Sequence, residues 1–207
     1  PLSSARQDVN GPPASDRSGT VEESALTGGS AEHSQNETTS GILNYNTGGD
    51  IPPALEINGE TGAATGTTLI HGVYGDLSID IDGNWNYTLT GSTTDHAGIN
   101  QTGTADQVQD SFSILVTDSD GDTAGATLTI DVTDDGPVAV SDGTVDVNDG
   151  ASVLGNLLAN DTPGADSATL THVNGSELVF DAVSGEASVS TALGELVVSA
   201  DGNYRYT

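Results

Sequence analysis

The 207-residue chain sets 31 Asp and Glu against three Arg (Arg6, Arg17, Arg205) and no Lys, a formal charge of −28. A surface of that sign is repelled by a phosphate backbone and by an anionic bilayer, which excludes nucleic acid and peripheral membrane partners. No Cys means no disulfide framework and no Lys means no Lys–Asn isopeptide bond, so a small domain here needs another staple, and bound metal is what remains.

The hydrophobic fraction of 34% is low, but it is carried by alternating Val, Ile, Leu and Thr, the signature of thin β-layers rather than of disorder. No apolar run approaches the roughly 20 residues that span a bilayer, so no direct membrane insertion is expected. The opening PLSSARQDVN has no signal-peptide core, and a start at Pro1 rather than Met is expected of a fragment or processed product.

In chain order, strands are expected at 55–57, 68–70, 75–81, 85–90, 110–117, 126–132, 144–147, 168–173, 177–180, 194–199 and 204–207. No helical period is sustained. Short strands separated by Gly, Asn and Asp predict β-sandwich domains. The Asp82-Gly83-Asn84 and Asp201-Gly202-Asn203 triplets stand between alternating runs and read as hairpin turns, since Asp-Gly and Gly-Asn tolerate positive φ.

Internal similarity sets the domain boundaries. Gly75-Asp-Leu-Ser-Ile-Asp-Ile-Asp-Gly-Asn-Trp-Asn-Tyr-Thr88 matches Gly194-Glu-Leu-Val-Val-Ser-Ala-Asp-Gly-Asn-Tyr-Arg-Tyr-Thr207 at an offset of 119. The stretch from Asn10 echoes that from Asp135, with Gly11 on Gly136. A weaker echo joins Ile42–Asp50 to Leu157–Asp166 with one insertion. The unit is about 120 residues, the size of one small domain. Residues 1–11 are then the tail of a preceding unit or a linker, 12–136 a complete domain, and 137–207 a partial second one lacking its last strands. Those strands are expected from a continuing chain or, alternatively, from another copy. Residues 28–66 match no repeat and read as a place for an insertion.

Acidic residues gather at the ends of one strand. Around Thr127–Val132, where Leu128, Ile130 and Val132 alternate with polar residues, Asp118, Asp120 and Asp122 stand before the strand and Asp134 and Asp135 after it, ahead of Gly136-Pro137. Carboxylates this close with no cation beside them repel one another, and a hard divalent ion with oxygen ligands, calcium above all, relieves that repulsion. The spacing resembles half of an EF-hand loop but departs from it: Gly121 falls at the fourth position, and Thr129 stands where the bidentate acid belongs. A solvated acidic loop and a merely polar linker are the alternatives. Glu22, Glu23, Asp142, Asp146, Asp161 and Asp166 can add ligands, though each alone reads as surface. Glu23 and Asp161, with Asp131 on the strand's polar face, complete the candidate set.

The four His (His33, His71, His96, His172) lack ligand spacing, which argues against zinc. Nothing supplies a Cys nucleophile or a G-x-S-x-G elbow, and the aromatics are too few to line a sugar site, so no enzyme is expected. Trp85, the only Trp, reads as core.

V-T-D-S-D-G-D-T-A followed by L-T-I-D-V-T-D-D-G-P, the D-G-N-W-N-Y-T turn and N-L-L-A-N-D-T at 156–162 resemble the VCBS and cadherin-like repeats of giant bacterial adhesins, type I secreted RTX-type and biofilm proteins. The resemblance covers about residues 12–207. It implies tandem Ig-like β-sandwich extender domains with calcium at or near the junctions, on a Gram-negative cell surface. The partners it implies are neighbouring repeats of the same protein; other copies of the chain are expected as partners only if they complete the partial second domain. The glycine-rich RTX nonapeptide is absent, so neither a β-roll nor the secretion signal belongs to these residues.

Overall fold

The computed structural model describes Ala14, Ser15 and residues 17–47, 51–96 and 101–207. It is all-β: among the described residues there is no α-helix, only a 3-10 turn at Glu23–Ala25. The expected tail 1–11, Gly11 of the N-terminal echo and the Asp50 end of the weaker one lie outside the described residues.

The first unit contains β1 (Arg17–Glu22), β2 (Thr38–Ile42), β3 (Ala54–Ile57), β4 (Glu60–Thr61), β5 (Thr67–His71), β6 (Gly75–Asp80), β7 (Asn84–Leu89), β8 (Gly103–Thr117) and β9 (Thr123–Asp134). One sheet runs β1-β9-β8-β3-β4 and the other β2-β7-β6-β5. Period-2 patterning aims one face of each inward. Leu77 and Ile79 on β6 and Trp85, Tyr87 and Leu89 on β7 meet Phe112, Ile114 and Val116 on β8 and Leu128, Ile130 and Val132 on β9 in one buried core. Each such side chain removed from water contributes about 1.5–3 kcal/mol. Tyr87 and Phe112 meet edge to face across the sheets, with centroids 6.1 Å apart.

A buried carboxylate fastens the layers. Asp110 on β8 accepts the N–H groups of Val73 (2.8 Å), Tyr74 (3.0 Å) and Gly75 (3.3 Å) from the β5–β6 turn and the Tyr87 hydroxyl (2.7 Å) from β7. Burial first, and then that bond to Asp110, push the Tyr87 phenol well above its ordinary value.

The second unit contains β10 (Val153–Asn156), β11 (His172–Val173), β12 (Ser176–Glu177), β13 (Glu186–Ser190), β14 (Glu195–Ser199) and β15 (Asn203–Tyr206). Its sheet β10-β15-β14-β13 copies β2-β7-β6-β5. Leu77 pairs with Tyr87 and Leu196 with Tyr206; Ile79 pairs with Trp85 and Val198 with Tyr204. The glycines repeat too. A Cβ on Gly41 would come within 2.7 Å of the Trp85 ring, and one on Gly155 within 2.6 Å of the Tyr204 ring, so the aromatic that follows each hairpin turn lies flat on a bare strand. Gly83 and Gly202 both have φ 84° in those turns. A small separate core holds Leu178, Ala187 and Val198.

Several expectations change. Residues 144–147 form no strand: β1, their counterpart, pairs in parallel with β9, and among the described residues no second β8 or β9 stands beside them. The expected strand 168–173 shrinks to β11, and 177–180 to β12. Within 28–66 the expected strand at 55–57 is β3, and β2 and β4 stand where no strand was expected. The weaker echo slips by one residue: the N–H of Leu43 bonds Gly83 O and that of Leu157 bonds Gly202 O, so Leu157 corresponds to Leu43 and not to Ile42.

Both β1 and β9 point the same way. β1 begins opposite Leu128, midway along β9, and runs toward the pole that carries Asp134, where β9 ends; the β8–β9 turn lies at the opposite pole. The extended β9 separates those poles by about 35–40 Å at 3.3–3.4 Å per residue.

Candidate functional site

At the pole opposite Asp134, residues 118–122 close the β8–β9 hairpin. Asp118 Oδ1 accepts the N–H groups of Asp122 (2.8 Å) and Gly121 (3.1 Å), and its own N–H bonds Asp122 O at 3.0 Å. Gly121, at φ 103°, allows the reversal. This wrapping points Asp118, Asp120 and Asp122 at one another, with ligand oxygens within 4.8 Å. Desolvation pulls the Asp118 carboxyl up, but the Asp120 side-chain hydrogen bond and the backbone N–H groups of Asp122, Gly121 and Asp120 together hold it below the usual range. Asp122 Oδ2 is buried with no hydrogen-bond partner. The donors are all oxygen.

At the exit pole, parallel pairing sets Glu22 opposite Thr133, so Glu23, the next residue, arrives beside Asp134. The loop after β7 brings His96 to the same place and donates the Thr93 N–H to Glu23 Oε1 at 2.7 Å. Glu23, His96 and Asp134 offer ligand atoms within 4.8 Å of one another. The Glu23 side chain is 0% exposed and that of His96 4%. Burial, opposed by the Thr93 N–H and reinforced by the charges of Asp166, Asp134 and Asp135, pushes the Glu23 carboxyl up to about 7. Desolvation raises Asp134 as well, against the pull of His96.

The remaining candidates are engaged elsewhere. Asp135 accepts Ser30 N–H (2.8 Å) and Ser30 Oγ (2.5 Å), which ties the exit of β9 to the loop after the 3-10 turn. Asp131 accepts Gln109 Nε2 at 2.7 Å across the β8–β9 ladder, and Asp161 accepts the Val140 N–H at 2.7 Å. In the first hairpin turn it is Asp80, not Asp82, that receives the N–H groups of Asp82 and Asn84. His96 was set aside in the sequence for want of spacing. Its partners Glu23 and Asp134 are remote in the chain, and only the sandwich brings them together.

Both clusters could hold a metal ion. No protein-family model matches the chain, and no curated protein matches it.

Proposed function

We propose that the chain is a non-catalytic extender of a large bacterial surface adhesin: Ig-like β-sandwich repeats stacked end to end, stiffened by calcium, holding a distal binding module away from the cell and so supporting adhesion and biofilm formation. The supporting observation is where the acidic clusters fall, at the two opposite ends of β9 in one sandwich, the second of them where β9 leads out of the first unit. An all-oxygen loop such as Asp118–Asp122 suits calcium, which accepts irregular oxygen geometry. Small-angle scattering and thermal melting with calcium and with chelator test the reading. Calcium should lengthen the maximum dimension and raise the melting temperature. Identical curves would refute it.

A second reading has its own observation. The β10–β15 unit leaves an apolar hollow of about 410 Å³ lined by Val138, Leu158, Pro163 and Leu170, and Leu154, Val179 and Val183 stand exposed. Such a unit suits a filament subunit whose second sandwich is completed by a strand from a neighbouring chain. Light scattering separates the two, since a monodisperse monomer at high concentration removes the filament.

A further inference from the structure

Three atoms at the exit pole have no hydrogen-bond partner although they are shut off from solvent: Glu23 Oε2 and both ring nitrogens of His96. Buried polar groups are almost always paired, and an orphaned cluster needs a cause. Nor do these groups form a tight ion pair. His96 Nε2 lies 3.6 Å from Glu23 Oε1, and Nδ1 lies 3.8 Å from Asp106 Oδ1, beyond hydrogen-bond reach. Two ligand atoms on one tetrahedral ion with bonds of 2.0–2.2 Å sit about 3.4 Å apart. The Nε2 to Oε1 spacing is thus near that of ligands sharing an ion.

The neighbourhood favours a particular ion. Calcium takes six to eight oxygens, whereas this buried cluster offers one imidazole and a few carboxylates. Imidazole with carboxylate is the donor set of zinc-class ions. Asp106 fits as well: the β8–β9 ladder slips between Gly103 and Gln107, so Asp106 stands in a bulge, off the regular pleat, and faces the imidazole nitrogen turned away from Glu23. A carboxylate behind a metal-bound His fixes its tautomer and orientation.

We propose that Glu23, His96 and Asp134 form a buried site for a zinc-class divalent ion, with Asp106 as the positioning residue behind the imidazole. The site is separate in place and in ligand chemistry from the all-oxygen loop at Asp118–Asp122, and it stands whether or not the chain is an extender.

Zinc titrated calorimetrically into the chelator-treated 207-residue chain, in saturating calcium and magnesium, should bind one equivalent that calcium does not displace. X-ray absorption at the zinc edge should show imidazole scattering together with oxygen. His96→Gln, close in size, should abolish the tight equivalent and leave calcium binding unchanged, and Asp106→Asn should weaken zinc about 10- to 100-fold. Zinc displaced by calcium, a zinc edge without imidazole, or equal zinc affinity in His96→Gln would each overturn the proposal. The absorption spectrum uses the unaltered chain, so a variant that fails to fold leaves the test intact. Loss of the calcium response alone would strike the extender reading and not this one.

Discussion

Asp110 shows how much one side chain can hold. Replacing it by Ala leaves three backbone N–H groups and a phenol without their acceptor; the N–H groups of exposed Val73 and half-buried Tyr74 can turn to water, but the Gly75 N–H and the Tyr87 hydroxyl are buried, and each buried group so stranded costs about 1–3 kcal/mol. Asp110→Ala should therefore lower the first unit's denaturant stability by about 2–6 kcal/mol. The exposed turn carboxylates behave differently. The Asn84 side chain, ahead of backbone N–H groups, holds the Asp80 carboxyl below its ordinary 3.8, and the Ser184 N–H does the same for Asp181. A depressed carboxyl stabilises the fold above the unfolded value and loses that contribution as pH falls through the folded one. Melting temperature followed below pH 3.8 should accordingly drop less steeply in Asp80→Asn than in the parent chain, from an already lower plateau. The partners of neither were legible from the residues: Asp110 shares the parity of Phe112, Ile114 and Val116, so alternation already turns it inward, but only the facing sheet reveals the N–H groups and the phenol that it holds. His96 stayed hidden for a similar reason, because a ligand set gathered from three separate loops and strand ends leaves no spacing to read.

Elements were legible in proportion to how local their cause is. β6, β7, β14 and β15 carry alternation, an Asp-Gly-Asn turn and an internal duplicate, and all were found in place. β1 (RSGTVE) and β2 (TTSGI) were missed because Gly and Thr stand where apolar residues are expected; the reason is Trp85, whose ring fills the space above Gly41 and Gly19. The opposite error, a strand at 144–147, had the right residues and no partner for its ladder. Trp85→Ala should cost the first unit about 3–5 kcal/mol, seen as a shifted denaturation midpoint, while amide exchange in β13–β15 stays unchanged. Gly41→Ala should cost about 1–3 kcal/mol by forcing a methyl against the indole. β13–β15 should exchange faster than β8 and β9 in the parent chain, because Leu178, Ala187 and Val198 make a far smaller core than the one spanning Val21 to Val132.

For the whole molecule the dominant quantity is the charge of −28, which repels itself across every surface. In chelator, raising monovalent salt from about 10 mM to 150 mM shortens the screening length from roughly 30 Å to 8 Å and should raise the melting temperature. Calcium at a hundredfold excess over its dissociation constant should add about 2.7 kcal/mol on top, an increment that Asp118→Ala with Asp122→Ala should remove. A melting temperature indifferent to salt would mean the carboxylates are already neutralised. One further consequence comes from the parallel pairing of β1 with β9. Tension applied where β1 begins and β9 ends runs along both strands in opposite senses, so it slides them past each other and loads the whole row of bonds from Arg17–Leu128 to Glu22–Thr133 together. A hairpin pulled open at one end yields one rung at a time. This sandwich is therefore wired to resist stretching, and tugging on it in an optical trap should break it in a single abrupt event.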